Sequence, residues 1–337
     1  MSKFGKVLII GAVILMLTVS PVFSSPFELD LSELADAIDT LSGTMATALP
    51  FYSTIGLNWS DAYIGQLLSF PPHFGVGVTM GVTTMGKDLS AFDPILNFLG
   101  TDVSMKDIAG GFSLGAPLPA VMLEARIGGI FADFDVGIKF MNMSAFGLDK
   151  MVSGILSDVT FEYELIGMDV RYSLMPSASP LKVSVGGGFN FLKGGIGIGM
   201  EEAFEIEGID ITGKTSAGIM WETLVFEAKA HVSFPLFIIT PYAGLGVSYG
   251  WSKAGFNVRG DIEVGDLGDL QEYLDNAGLI PDVSSTGVRA YQEFSGFNFR
   301  IYGGFSLNLF VIRLDLTGMY NLMDGSLGAS VGVRFQL

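Results

Sequence analysis

His231 and Ser233 stand two residues apart in the stretch VFEAKAHVSF, residues 225–234. A histidine that takes a proton beside a serine that attacks a carbonyl is the pairing an ester hydrolase requires. Asp133 and Asp135 offer a second chemistry, because paired carboxylates can activate a water. GGIGIG (194–199) has the glycine density of a phosphate loop, but no helix pattern follows it, so it fails the context test for one. The acidic stretch DIEVGDLGDLQEYLDNAG (261–278) gathers carboxylates without the ligand spacing of a calcium loop. The chain has two histidines, His73 and His231, and no cysteine, so neither a metal site nor a cofactor is expected. Which of these groups can react depends on where its side chain points.

The composition limits the architecture. Of 337 residues, 49% are hydrophobic and 16% charged, and the mean hydropathy is +0.50. The 45 glycines and 13 prolines leave no spanning-helix candidate after the N-terminus, since such a helix needs roughly 20 consecutive apolar residues. At the start, Lys3 and Lys6 precede the apolar run Val7–Val19 and then SPVFSS. Residues 1–24 therefore read as a cleavable secretory signal, too short in its apolar part to span. In hydrocarbon every backbone polar group must be bonded internally, so an exported non-helical chain spans a membrane only as a closed barrel.

Residues 119–142 carry the barrel pattern clearly. Val121, Leu123, Ala125 and Ile127 share one face, with Glu124 and Arg126 on the other; after Gly128–Gly129 the alternation resumes. Phe134, Val136, Ile138 and Phe140 face one way, and Asp133, Asp135 and Lys139 the other. The charged set is expected in the lumen, because a charge on the lipid face near the midplane costs about 2–4 kcal/mol. The same reading gives strands near 73–84, 160–175, 181–198, 219–234, 237–251, 288–308, 310–321 and 326–337. Strand 160–175 calls for a bulge near Gly167, where the apolar set switches from Phe161, Tyr163 and Leu165 to Met168, Val170 and Tyr172. The expected fold is all-β: a transmembrane antiparallel barrel of about ten strands over residues 71–337. FYSTIGLNW (51–59) and AGGFSLGA (109–116) also alternate, and adding them gives a rival count of twelve.

Short connectors (128–129, 176–180, 235–237, near 309) alternate with long ones (85–118, 143–159, 199–218, 252–287), as turns and loops of a barrel should. The chain ends in GASVGVRFQL, where Ala329, Val331, Val333, Phe335 and Leu337 share a face. On these strands and this closing segment, residues 70–337 resemble Gram-negative outer-membrane β-barrel proteins, and the glycine-rich, acidic character is similar to that of spirochaete barrels. The resemblance implies the outer membrane, contact with its lipid, and barrel-assembly machinery that reads strand 326–337. It also implies termini in the periplasm and loops outside. The final residue departs from the family's usual aromatic end.

Residues 25–70 form an N-terminal segment. Leu31, Leu34, Ala35, Ile38 and Leu41 recur at helical spacing, so 27–49 is expected as an amphipathic helix, on the periplasmic mouth or inserted as a plug. Gly75, Gly77, Gly81, Gly328 and Gly332 face the lumen and either admit such a plug or relieve crowding.

The barrel settles the opening motifs. Phe226, Ala228, Ala230, Val232 and Phe234 face lipid, so Glu227, Lys229, His231 and Ser233 face the lumen near the short turns. Outer-membrane lipid hydrolases need their pair on the lipid side, and outer-membrane aspartyl-type proteases need theirs on the opposite rim from Asp133 and Asp135. No enzyme is expected. The lumen-lining set is Glu124, Arg126, Asp133, Asp135, Lys139, Glu162, Glu164, Asp169, Arg171, Glu227, Lys229, His231, Arg313 and Asp315. The formal net charge of −17, strong in the long loops, argues against nucleic acid. Three functions follow: a passive transporter or narrow channel for small solutes, a sealed structural or surface-recognition barrel, and an uptake barrel for hydrophobic compounds with an N-terminal hatch. The first is the leading expectation.

Overall fold

The computed structural model describes residues 28–29, 48–70, 72–85, 116–146, 159–176, 179–200, 204–206, 209–262, 267–276 and 280–337. Residues 1–24, most of the expected helix 27–49 and residues 109–115 lie outside these. Ten antiparallel strands close into one barrel. They are β1 (Phe74–Met85), β2 (Ala116–Gly128), β3 (Phe134–Asn142), β4 (Val159–Ser173) and β5 (Lys182–Met200). Then follow β6 (Ile209–Ser233), β7 (Ile239–Ile262), β8 (Gly287–Leu309), β9 (Ile312–Asn321) and β10 (Leu327–Gln336). Each pairs with its sequence neighbour, and β10 pairs with β1 to close the ring. Closure leaves no strand edge for the membrane to solvate.

Ten is therefore the count, and the twelve-strand alternative fails at its first member. Residues 48–53 are a short helix, α1, and 54–59 are irregular, with Gly56 and Leu57 both at positive φ (85° and 55°). No strand accommodates two consecutive left-handed residues. A second helix, α2 (Leu267–Asn276), lies in the long connector at the loop end.

On the outer face, Leu224 and Phe226 of β6 with Phe234 just after it, Ile166, Met168, Val170 and Tyr172 of β4, and Phe297, Phe299, Ile301, Phe305, Leu307 and Leu309 of β8 are exposed apolar side chains. Leu224 to Phe234 has the length of about 9–11 residues that a tilted strand needs to cross hydrocarbon. At the band's loop-side boundary, Tyr249 packs on Trp251 and Phe297 with ring centroids 4.7 and 4.6 Å apart, an aromatic girdle at the edge of the apolar band.

Above this girdle five strands, β4 to β8, continue, so much of the expected loops 199–218 and 252–287 is wall. Here the polarity reverses. Tyr163, Leu165, Leu192, Phe256, Val258, Val288 and Ala290 are buried inside, while a charged row faces outward. Its members are direct cross-strand partners: Glu164 with Lys193, Lys193 with Glu222, Glu222 with Lys253, and Lys253 with Glu293. This tower, standing in water, has an apolar core and a charged skin; the band, standing in lipid, has the opposite.

The reversal corrects two expectations. The β4–β5 register runs from Val159↔Ile198 to Ser173↔Ser184 without interruption, so no bulge occurs near Gly167. The apolar set switches face there because the surroundings change from lipid to water. Consequently Glu162 and Glu164 are outward residues of the tower and not part of the lumen; Glu162 faces Arg259 at 3.9 Å, both largely exposed.

An arginine on the outward face of β8 reports where water ends. Ile301→Arg, within the band, should cost about 2–4 kcal/mol, whereas Tyr291→Arg, on the same face in the tower, should cost little. Equilibrium unfolding from lipid vesicles in urea measures both; equal costs would place the boundary wrongly.

Candidate functional site: the occupied lumen

The lumen holds residues 48–64. Every residue from 48 to 60 is buried, with Phe51, Ser53, Thr54, Ile55 and Ser60 wholly so. The segment enters at tower level, where Tyr52 donates to the Pro119 carbonyl at 2.6 Å, and runs toward the short turns, where Leu67 N–H donates to the Gly129 carbonyl at 3.0 Å. The expected helix 27–49 is described only at residues 28–29 and 48–49; these stand toward the loop end, so the chain enters the lumen from that end and not from the mouth at the short turns, where the N-terminal segment was expected. Glu28–Leu29 form no helix; they pair in parallel with Phe204–Ile206 beyond the loop end of β6.

A helix of one and a half turns followed by irregular chain leaves many backbone groups without internal partners, and each costs free energy if buried unbonded. The wall's charged side chains bond them. Lys139 Nζ donates to the Ser53 and Ile55 carbonyls, both at 2.6 Å, capping the C-terminal end of α1 where a cation is favoured. Arg126 Nη2 and Lys229 Nζ reach the Leu57 carbonyl at 3.3 and 3.4 Å, and Arg171 Nη1 the Asp61 carbonyl at 2.6 Å. In the other sense, Leu57 N–H donates to Glu124 Oε1 at 2.8 Å and Ile64 N–H to Asp135 Oδ2 at 3.2 Å.

The same wall charges also pair with one another. Arg126 bridges Asp135 (2.5 Å) and Asp169 (2.7 Å); Arg171 holds Asp135 at 2.8 Å, Lys229 holds Asp169 at 2.7 Å, and Arg300 holds Glu227 at 2.9 Å. Near the turns, Asp61 of the segment accepts from Arg334 (2.8 Å) and Arg313 (3.5 Å), while Asp315 faces Arg334 at 3.0 Å. Asp133, at the turn-end mouth, accepts from Gln66 Nε2 at 3.0 Å. Removing one member of such a buried network leaves its partner charged and unbonded, which costs about 3–5 kcal/mol.

Trp59 is the segment's central anchor. Its indole N–H donates to Glu124 Oε2 at 2.6 Å, and its ring lies under Arg334 (4.5 Å) and Arg126 (5.6 Å). The lumenal glycines supply the space: a Cβ on Gly75 would stand 2.8 Å from the Trp59 ring, and one on Gly81 3.1 Å from Ile55.

His231 and Ser233 belong to this seat. Ser233 Oγ accepts the Ala62 N–H at 3.0 Å, His231 lies 3.3 Å from the Ser60 carbonyl and 3.2 Å from the Tyr302 hydroxyl, and its ring stacks on Tyr242. Both side chains are buried. Arg300, Arg334, Trp59 and Asp61 were not singled out from sequence. The two arginines were legible: Arg334 sits between outward Val333 and Phe335, and Arg300 between Phe299 and Ile301.

No family model matches the chain, and no curated protein does. Among solved structures it is similar to the outer membrane protease OmpT from Escherichia coli, at 8% identity over 79% of this chain and 97% of that one, with a TM-score of 0.38. The translocator domain of the autotransporter NalP from Neisseria meningitidis matches at 10% identity over 91% and 100%, with a TM-score of 0.33. Ail, the attachment invasion locus protein of Yersinia pestis, matches at 10% over 79% and 97%, with a TM-score of 0.29. No residue role is carried over from them.

Gly56 tests the seat. It has φ +85°, and a Cβ there would lie 2.3 Å from Met122 Sδ and 2.4 Å from Glu124 Oε1. Gly56→Ala should cost about 1–3 kcal/mol and loosen the segment. In this cysteine-free chain, Ser60→Cys should resist a water-soluble thiol reagent alone and react when combined with Gly56→Ala. Rapid labelling in the Gly56 background would mean the lumen is open.

Proposed function

We propose that the protein is an outer-membrane barrel closed by its own N-terminal segment, acting as a structural or surface-recognition protein through its tower and loops. The observation that carries this is the bonding of residues 53–64 to the lumenal charges. Charges expected to line a passage are spent on backbone carbonyls and amides of the segment and on each other. Passive conduction by a charge-lined pore therefore has less support than closure. Hydrophobic uptake with lateral exit is also less supported, because the ladders β5–β6, β6–β7 and β7–β8 run unbroken through the band. Surrounding outer-membrane lipid and the assembly machinery engaging strand 326–337 remain the proposed partners. No enzymatic role is proposed, as the His231 and Ser233 side chains are committed to the segment.

Planar-bilayer recording decides between closure and conduction. The intact protein should be silent, and Asp61→Ala with Glu124→Ala should give discrete steps, since each removes bonds that hold the segment. Steady steps from the intact protein would restore the channel reading.

Thiol labelling decides the placement. Ser284→Cys, exposed at the loop end, should react with a membrane-impermeant reagent on intact cells, and Ser179→Cys, between β4 and β5, only after lysis. The reverse pattern would invert the barrel in the membrane.

A further inference from the structure

Among the described residues, the basic side chains on the outer face are Lys193, Lys253, Arg259 and Arg289; the other described basic side chains take the lumenal side of the wall. All four line one recess of about 300 Å³ on the outside of the tower. The recess exists because side chains are missing from its floor: Gly195, Gly197 and Gly218 lie there, with Gly197 and Gly218 direct cross-strand partners. An adjoining hollow of about 310 Å³ shares Arg259 and Arg289 and adds Ser284 and Thr286.

Its height above the lipid band follows from the register. Lys193 and Lys253 occupy the first outward row beyond Leu224 and Trp251; Arg289, opposite Asn257, lies two rows further, and Arg259 one beyond that. Each row adds roughly 7 Å along a strand and, at a tilt of about 40°, roughly 5 Å along the membrane normal. A phospholipid headgroup layer is only about 5–7 Å thick on each side. The lysines thus stand at headgroup level and the arginines well above it. The recess also carries Glu162, Glu222 and Asp282. A bare anion would meet carboxylates beside every cation, whereas a ligand offering hydroxyls as well as phosphates can use both signs.

We propose that this recess binds the phosphorylated sugar headgroup of a glycolipid anchored in the surrounding leaflet, with phosphates on the arginines and lysines and sugar hydroxyls on the carboxylates. The proposal rests on the outer-membrane placement above, but not on closure of the lumen, which bilayer recording reads separately. The test uses the full chain in detergent micelles, titrated with rough lipopolysaccharide carrying a phosphorylated core and followed by native mass spectrometry. Binding should be at least tenfold tighter than for the same lipid stripped of phosphate, and should fall at least tenfold in the double variant Arg259→Gln, Arg289→Gln. The exposed Lys193→Gln, Lys253→Gln pair gives a second reading with the barrel's melting temperature as control. Equal affinity for the dephosphorylated lipid, unchanged affinity in both double variants, or equal binding of phosphatidylglycerol or inorganic phosphate would each overturn the proposal.

Discussion

An irregular peptide segment buried inside a membrane barrel is shielded from bulk water, and the wall must supply the partners that its N–H and C=O groups do not find within the segment. That constraint explains why the lumen at band level is built from arginine, lysine, aspartate and glutamate. Lys139 exists at its position as the cap of α1, Glu124 as the acceptor for Leu57 and Trp59, and Arg171 as the donor to the Asp61 carbonyl. The ion pairs among wall residues then follow, because donors and acceptors aimed at one narrow segment necessarily come within reach of each other.

A second organising feature is the reversal of polarity along a continuous wall. Neither β4 nor β7 changes register where it leaves the apolar band; only the surroundings change. In lipid the outward positions must be apolar and the inward ones carry the charges that the segment needs. In water the outward positions carry Lys253 and Glu293, and inward Phe256 and Val258 build a core of ordinary globular kind. Tyr249, Trp251 and Phe297 mark the join.

This explains how much of the molecule could be read from its sequence. Strands such as β2, β3 and β9, whose period of two keeps one polarity throughout, were legible to within a few residues. So was the lumenal facing of His231 and Arg313. The tower was missed because Ala254, Phe256 and Val258 alternate in the opposite phase from Leu245 and Trp251, and a change of phase reads as a loop or a bulge unless a water line is allowed for. The switch between Leu165 and Met168 was the available signal. The lumenal segment was misread in part because FYSTIGLNW alternates by chance; Gly56 takes a positive φ readily, but the left-handed Leu57 beside it is held there by the seat and not by local propensity. Residue roles in the network needed three-dimensional partners, since Glu124 and Leu57 are far apart along the chain.

The path of residues 48–70 also has a topological consequence. The segment enters the ring at one end and leaves it at the other, directly before β1, and β1 is itself one of the two strands that close the ring against β10. The finished ring therefore encircles the very chain that leads into it, as a lasso encircles its own tail, and the β1–β10 seam is the knot of that loop.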